Sequence, residues 1–486
     1  MNARIQSFYA RWRLEGRAAL GMREDADRPP ERLLQQVWYH QRLLRDRLTT
    51  LEGRRVQVLH PGFWSHEGGP DFRKAIVQFE GESPVSGDIE VDLHSGGWHG
   101  HGHDANANFK SVVLHVVWEG TGIKGIPTVA IKDRLDAPMA ELATWVGTES
   151  GKGFPPELTG QCCAPLREMP EKRLHALLHE AARVRFESKA AHFQTRAREA
   201  GWEQALWEGL FRALGYKHNV WPMLRLAELR PRLIPAESSR GRSPSPKRLK
   251  LEPIALQARL FGAGGLLPHE LERDESQPYF RRLWDCWWRE RDAFEDCVLP
   301  RALWHFHGLR PANHPQRRLA LASYWLMAEK LVHRVENWST SPDDLLAIFQ
   351  APADPFWSWH WTLRSPRLRS AQPLLGPARL TDLAVNVILP WLWARYSQRR
   401  EEFERCYFEW PAAEDNSLLR LARQRLLGTT SKKLLGNAAA QQGLLQIVRD
   451  FCENSNALCD NCRFPELVRS WGNARIDADN VSPSKS

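Results

Sequence analysis

No stretch of the 486 residues is apolar for long enough to cross a bilayer, a span that takes about 20 consecutive apolar residues in a helix. The opening run MNARIQSFYARWRLEGRAAL lacks the apolar core of a secretory signal, so a cytoplasmic chain with no membrane role is expected. A large charge of one sign is missing too: 67 Lys and Arg against 58 Asp and Glu leave a formal net charge of +9. That excess favours anionic partners, nucleic acid among them, but spread over a chain of this length it does not single them out. A nucleotide-type phosphate loop is also absent. The run Gly262 to Gly265 follows a helix-like segment rather than a strand and has no Lys-Ser/Thr after it, so a helix C-cap and turn is expected there.

What is present in excess is tryptophan, at 22 residues. Trp284, Trp287 and Trp288 sit at helical spacing and are expected to pack between helices. Trp64 and Trp98 flank the most polar segment of the chain, and Trp98 is the one expected to meet a ligand by stacking.

That polar segment runs from Gly68 to His115 and reads GGPDF, then GDIEVDLHSGGWHGHGHD, then VVLHVVW. Gly87 to Leu93 has strand character, and alternation puts Asp88, Glu90, Asp92 and His94 on one face with Ile89, Val91 and Leu93 on the other. Carboxylates in a row repel one another unless a cation, a basic partner or water offsets them. A bound divalent metal is the economical explanation; a solvated acidic face on an exposed edge strand is the alternative. Gly68, Gly69 and Pro70 make a restricted turn that fixes Asp71 at the mouth of the preceding strand. His99, His101 and His103 alternate with glycines that permit close approach of several imidazoles, and with Asp104 and Glu90 they suit Zn²⁺, Mn²⁺ or Fe²⁺ better than Mg²⁺. His115 lies within an apolar strand, where a lone histidine is more often a satisfied core residue than a ligand.

Around this segment the pattern predicts a helix over residues 30–49 and strands over 54–60, 72–80, 111–118 and 126–131. After about residue 155 the period becomes helical, with helices expected over 171–199, 202–215, 255–261, 279–294, 315–335 and 380–404. The expected fold is therefore α+β: a small mixed sheet with a flanking helix over residues 1–150, a large all-helical domain over 160–470, and a disordered tail over 471–486. Residues 236–252, polar and rich in Pro, Ser and basic residues, read as an exposed loop. Arg310, Arg317 and Arg318 suggest an anion site, against which the nearby prolines more simply shape a helix start.

The runs GPDF, GDIEV, WHGHGHD and LHVVW resemble an uncharacterised bacterial family, domain of unknown function 2851, and the resemblance continues through RLFGAGGLLP and LRPANHPQRRLA to the terminal cysteines. A more distant resemblance is to the PD-(D/E)xK nucleases, which place an Asp at the start of one strand, an acid-x-Lys on the next, and in some members a helical Glu. It implies a restriction-endonuclease-like sheet in which Asp71 and Glu90 hold Mg²⁺ or Mn²⁺, the Val91 carbonyl completes the site and Glu31 assists. It implies phosphodiester hydrolysis, in which hard oxygen ligands hold a cation that polarises the phosphoryl group and acidifies the attacking water. Asp92 stands where that family has Lys, which leaves His94, His101, His103 or His115 to supply the missing function. A scaffold that binds nucleic acid or protein without catalysis, and a metal-dependent hydrolase of a small molecule, are the competing functions.

Of the eight cysteines, three cluster as Cys452-x6-Cys459-x2-Cys462, and Cys162-Cys163 lies just beyond the expected sheet domain. In a cytosolic chain a CxxC with a third Cys nearby reads as metal-binding before disulfide. Three thiolates with Cys162 or Cys163 make a four-thiolate set for Zn²⁺ or an iron–sulfur cluster. Some PD-(D/E)xK nucleases carry such a cluster on one distant and three C-terminal cysteines; here the lone ligand follows the candidate motif instead of preceding it.

Overall fold

The structure, a computed structural model, describes residues 7–19, 29–65, 69–96, 98, 103, 106–123, 125–139, 141–142, 160–216, 218–234, 252–268, 277–306, 309–414, 416–428, 435–452, 459 and 462–473. Two compact units are present. One comprises Met1–Pro30, Ala143–Ser188 and Tyr407–Ser486; the other comprises Glu31–Leu142 and Lys189–Cys406. The sheet thus groups with residues 189–406, while the two chain ends group with residues 143–188. The basic segment 236–252 falls, apart from Glu252, outside the described residues.

In chain order the elements are α1 (Phe8–Ala19), α2 (Glu31–Tyr39), β1 (Val56–His60), β2 (Phe63–Trp64), β3 (Phe72–Phe79), β4 (Val85–His94), β5 (Val112–Glu119) and β6 (Thr128–Ala130). The principal helices after the sheet are α3 (Cys163–Glu168), α4 (Glu171–Ala200), α5 (Trp202–Gly215), α6 (Val220–Glu228), α7 (Pro253–Ala263), α8 (Gln277–Glu290), α9 (Pro315–Met327), α10 (Ser417–Leu427), α11 (Ala438–Ile447) and α12 (Phe464–Asn473). The fold is α+β, a mixed sheet followed by a helical region.

The sheet has six strands in the order β1-β3-β4-β5-β6, with β2 paired to β3. β1, β3 and β4 form an antiparallel meander, whereas β5 runs parallel to β4 and β6 parallel to β5. β4 is thus the middle strand, flanked on both sides. An exposed acidic edge is excluded, since Glu90 and Asp92 are 7% and 2% exposed. The pairing of β4 with β5 shifts register between Asp88 and Ile89, and there Gly87 is required for close approach: a Cβ on it would stand 2.2 Å from Val113 Cγ1 and 2.6 Å from the Ser111 carbonyl oxygen.

Helix α2 packs over β4 through a stripe of buried Leu33, Leu34, Val37 and Trp38. It is shorter than the 30–49 run predicted. Gln41 takes a left-handed backbone (φ 50), Arg42 N–H donates to the Val37 carbonyl and the Gln41 amide to that of Trp38, so local capping stops the helix before the apolar pattern does. The predicted helix 315–335 breaks at Ala328, whose backbone is extended, and resumes at Leu331 after the left-handed Lys330 (φ 52), and 380–404 is interrupted by a π-helical turn at Ala384–Ile388 and by a break at Tyr396. Arg45 links the sheet to the helices of its own unit, donating to the Val58 carbonyl at 3.1 Å and pairing with Glu228 of α6 at 3.1 Å.

The glycine run ends α7 as a cap. Leu266 N–H donates to the Phe261 carbonyl, and Gly265 has φ 62 with no room for a Cβ, which would lie 2.1 Å from the Leu299 carbonyl oxygen. In the other unit, Tyr9 and Trp12 of α1, Cys162, Leu166 of α3, Leu177 and Leu178 of α4, Leu426 of α10, Leu444 of α11 and Val468 of α12 share one core. Trp471, expected in the tail, belongs to α12 and stacks on Phe8 with ring centroids 4.4 Å apart. Residues 474–486 lie outside the described residues.

Candidate metal and catalytic site

Three sequence-distant pieces bring four acids to one face of the sheet. Glu31 opens α2, Asp71 immediately precedes β3, and Glu90 and Asp92 stand two apart on β4, where a period of two keeps them together. Asp71 N–H donates to Glu90 Oε2 at 3.1 Å, and Val91 N–H returns a bond to Asp71 Oδ2 at 3.1 Å. Val91 thus enters this network through its N–H. Gln35 Nε2 donates to Asp71 Oδ1 at 2.9 Å and to Glu31 Oε1 at 3.2 Å. Gln35 was not anticipated, although its place four residues after Glu31 puts both on one helical face.

From the other side come two histidines. His103 Nε2 lies 3.3 Å from Glu90 Oε1, and His115 Nε2 lies 2.9 Å from Asp92 Oδ2. His103 stacks on Phe109 at 3.8 Å, and Trp98 meets His103, Phe109 and His115 edge-on. At 2% exposure Trp98 is core, so it supports these rings instead of offering a stacking face to a ligand. His115 is wholly buried on the strand beside β4 and braces Asp92. Glu90, Asp92 and His103 each present a ligand atom within 4.8 Å of the others'.

Burial dominates the electrostatics. It raises the Glu90 carboxyl to about 9, with repulsion from Asp71, then Asp92 and Glu31 adding to it against the hydrogen bond from Asp71 N–H. Burial likewise raises Asp71 to about 7, aided by Glu31 and Asp92 and opposed by the Val91 N–H and Gln35. Hydrogen bonds thus do the compensating, and they do not bring either carboxyl back to its usual range.

Asp88 and His94 are not in this group. At the register shift Asp88 is diverted to a backbone clasp, accepting from Lys74 N–H at 3.0 Å and Ser111 Oγ at 2.6 Å. His94 is exposed at the end of β4, with Nδ1 3.4 Å from the Glu119 carbonyl oxygen. His99, His101 and Asp104 lie outside the described residues.

The arginines of α9 do not form an anion site. Arg317 is buried and donates to the carbonyls of Trp357, His360, Gln372 and Pro373, while Arg318 donates to the Leu374 carbonyl and Asn313 Oδ1. Of the tryptophans on α8, Trp287 packs inward, whereas Trp288 is 59% exposed beneath the Arg291 guanidinium.

Five of the eight cysteines concern a second group in the other unit. Cys162 and the three C-terminal cysteines lie within electrostatic range of one another, while Cys163 interacts with Arg167 instead. No disulfide links any of the eight.

The fold and site define an α+β protein whose mixed sheet carries a buried carboxylate–histidine cluster. Residues 31–414 match the family described as "Protein of unknown function (DUF2851)", and the chain belongs to that family. No curated protein and no solved structure matches the chain.

Proposed function

We propose that this protein is a divalent-metal-dependent phosphodiester hydrolase acting on nucleic acid. The observation that carries the reading is the convergence of Glu90, Asp92 and His103, with ligand atoms within 4.8 Å of one another, beside Asp71 and Glu31. Glu90 and Asp71, whose carboxyls burial holds above their usual range, are groups that a cation would relieve. Glu90, Asp92 and His103 would hold it, with Asp71 next to them, and a set of oxygens plus one imidazole suits Mn²⁺ ahead of Mg²⁺. When bound, such an ion polarises the phosphoryl oxygen and lowers the pKa of an attacking water.

The chain's own groups have defined parts. Gln35 and Val91 N–H fix the Asp71 carboxylate, and Asp71 N–H fixes one oxygen of Glu90. Asp92, at the position where the nuclease comparison has Lys, is instead held by His115, with Nε2 and Oδ2 2.9 Å apart. Position in the sheet also supports the comparison, with an acid before one antiparallel strand, a second on the next, a helical Glu behind them and a parallel strand after. The net charge of +9 suits a polyanionic substrate.

The test incubates full-length protein with single- and double-stranded DNA and RNA in Mg²⁺ or Mn²⁺, beside an Asp71→Ala, Glu90→Ala double variant. Cleavage by the wild type alone is the expected result. Equal background from both proteins, with binding retained, would leave a non-catalytic binding scaffold as the better description.

A further inference from the structure

The strongest group outside that site is made of sulfur. Cys162 is the residue before α3, Cys452 ends a π-helical turn after α11, and Cys459 and Cys462 precede α12. All four belong to the unit formed by the chain ends. Cys162 is a member of that unit's apolar core, and Cys452 and Cys462 pack against the same core. Each of the four thiols lies within electrostatic range of the other three. The neighbouring Cys163 points elsewhere, with its sulfur 3.2 Å from where a Cβ on Gly428 would stand.

The surroundings are those of a thiolate centre. Arg425 Nη2 donates to Cys459 Sγ at 3.1 Å and the same guanidinium bonds to Cys452, while Phe464 N–H donates to Cys462. Cys462 N–H donates to the Cys459 carbonyl, closing a CxxC turn in which Cys459 has φ 80, a left-handed backbone that a non-glycine residue seldom adopts.

We propose that Cys162, Cys452, Cys459 and Cys462 form a four-thiolate centre for a thiophilic metal, either a zinc ion or an iron–sulfur cluster, that fastens α3 to the C-terminal segment. This site is independent of the acidic cluster and of the function proposed for it. Binding displaces the thiol protons and leaves more negative charge on the sulfurs than the metal neutralises, which Arg425 offsets. The spacing of the sulfurs bears on the choice of metal. Among the described residues, Glu90, Asp92 and His103 are the group with ligand atoms within 4.8 Å of one another; the sulfurs are set wider. A tetrahedral zinc with Zn–S of about 2.3 Å draws its sulfurs to roughly 3.8 Å apart, whereas a cluster spreads them over separate irons.

Full-length protein purified anaerobically would be assayed for zinc, iron and acid-labile sulfide, with X-ray absorption at the edge of whichever metal is found. The expected result is zinc, or iron with matching sulfide, in a first shell of sulfur only at about 2.3 Å. Cys162→Ser should hold roughly tenfold less metal or worse, and Cys163→Ser should hold as much as the wild type. Should Cys162→Ser fail to fold, native alkylation of the wild type keeps the question decidable: these four thiols should be protected until a chelator is added. A wild type that binds neither zinc nor iron and sulfide on anaerobic reconstitution would overturn the proposal. So would a nitrogen- or oxygen-dominated shell, or equal metal loss in the Cys162 and Cys163 variants.

Discussion

Replacing Glu90 by Gln removes a charge from a place that resists it while keeping an acceptor for Asp71 N–H. The folded protein binds a proton at Glu90 up to about pH 9, where an ordinary glutamic acid releases it near 4.5. In that interval the folded state carries more protons than the unfolded state, so wild-type stability falls as pH rises and is greatest below the lower value. A lone group would lose about 1.4 kcal/mol per pH unit, or roughly 5 kcal/mol by about pH 8. Asp71, Asp92 and Glu31 contribute to the same shift and remain in the variant, so the gain on neutralising Glu90 should be smaller, about 2 kcal/mol. Metal-free Glu90→Gln should therefore be more stable than wild type at about pH 8 and indistinguishable from it near pH 4, below which both carry a neutral group. With Mn²⁺ at about 100 times its dissociation constant the order should reverse, because the wild type gains about 2.7 kcal/mol and the variant little. Urea unfolding read by pulsed hydrogen exchange over β3 and β4 reports on this unit alone. A variant less stable than wild type at about pH 8 without metal, or one that responds to Mn²⁺ as strongly as wild type, would refute the reasoning.

Three other outcomes are expected elsewhere in the molecule. Gly265→Ala meets both a positive φ and the Leu299 carbonyl oxygen at 2.1 Å, and urea denaturation should show a loss of about 2–4 kcal/mol; wild-type stability would contradict the cap geometry. Arg317→Lys exchanges a fork that serves four carbonyls for a point charge and should cost about 3 kcal/mol, read as a lower urea midpoint with an unchanged slope. Burial lowers His60 to about 4, so the unfolded chain binds the extra proton between that value and about 6.5; stability should fall on acidification through this window by up to about 3 kcal/mol. His60→Gln should flatten that dependence, and an unchanged pH profile would rule out His60 as its source.

The strands that build the site were legible because each half-buried run keeps a period of two and ends in turn residues. β3, β4 and β5 lie within one residue of expectation at most ends, although β4 begins two residues earlier and ends one later. The pairing of Asp71 with Glu90 could be anticipated from a restricted turn before one strand and alternation along the next. Helix ends were less legible. Gln41, with a left-handed backbone, and Ala328, with an extended one, end helices without any announcement in their side chains. Alternation also overreached: it placed Asp88 and His94 with Glu90, but a register shift turned the first to Ser111 and Lys74, and the second lies at the exposed strand end.

Periodicity, turn chemistry and residue type are local properties, so the sequence by itself determined an acidic strand, a histidine-rich segment after it and a cysteine group at the far end. Strand order is not local, and only the tertiary structure decided that β4 is the middle strand; burial there, away from water, raises Glu90 and Asp71. The same holds for sulfur. Cys162 and Cys163 are indistinguishable by type and spacing, but consecutive residues entering a helix point in directions about 100° apart, and packing chose Cys162 to face the terminal cysteines.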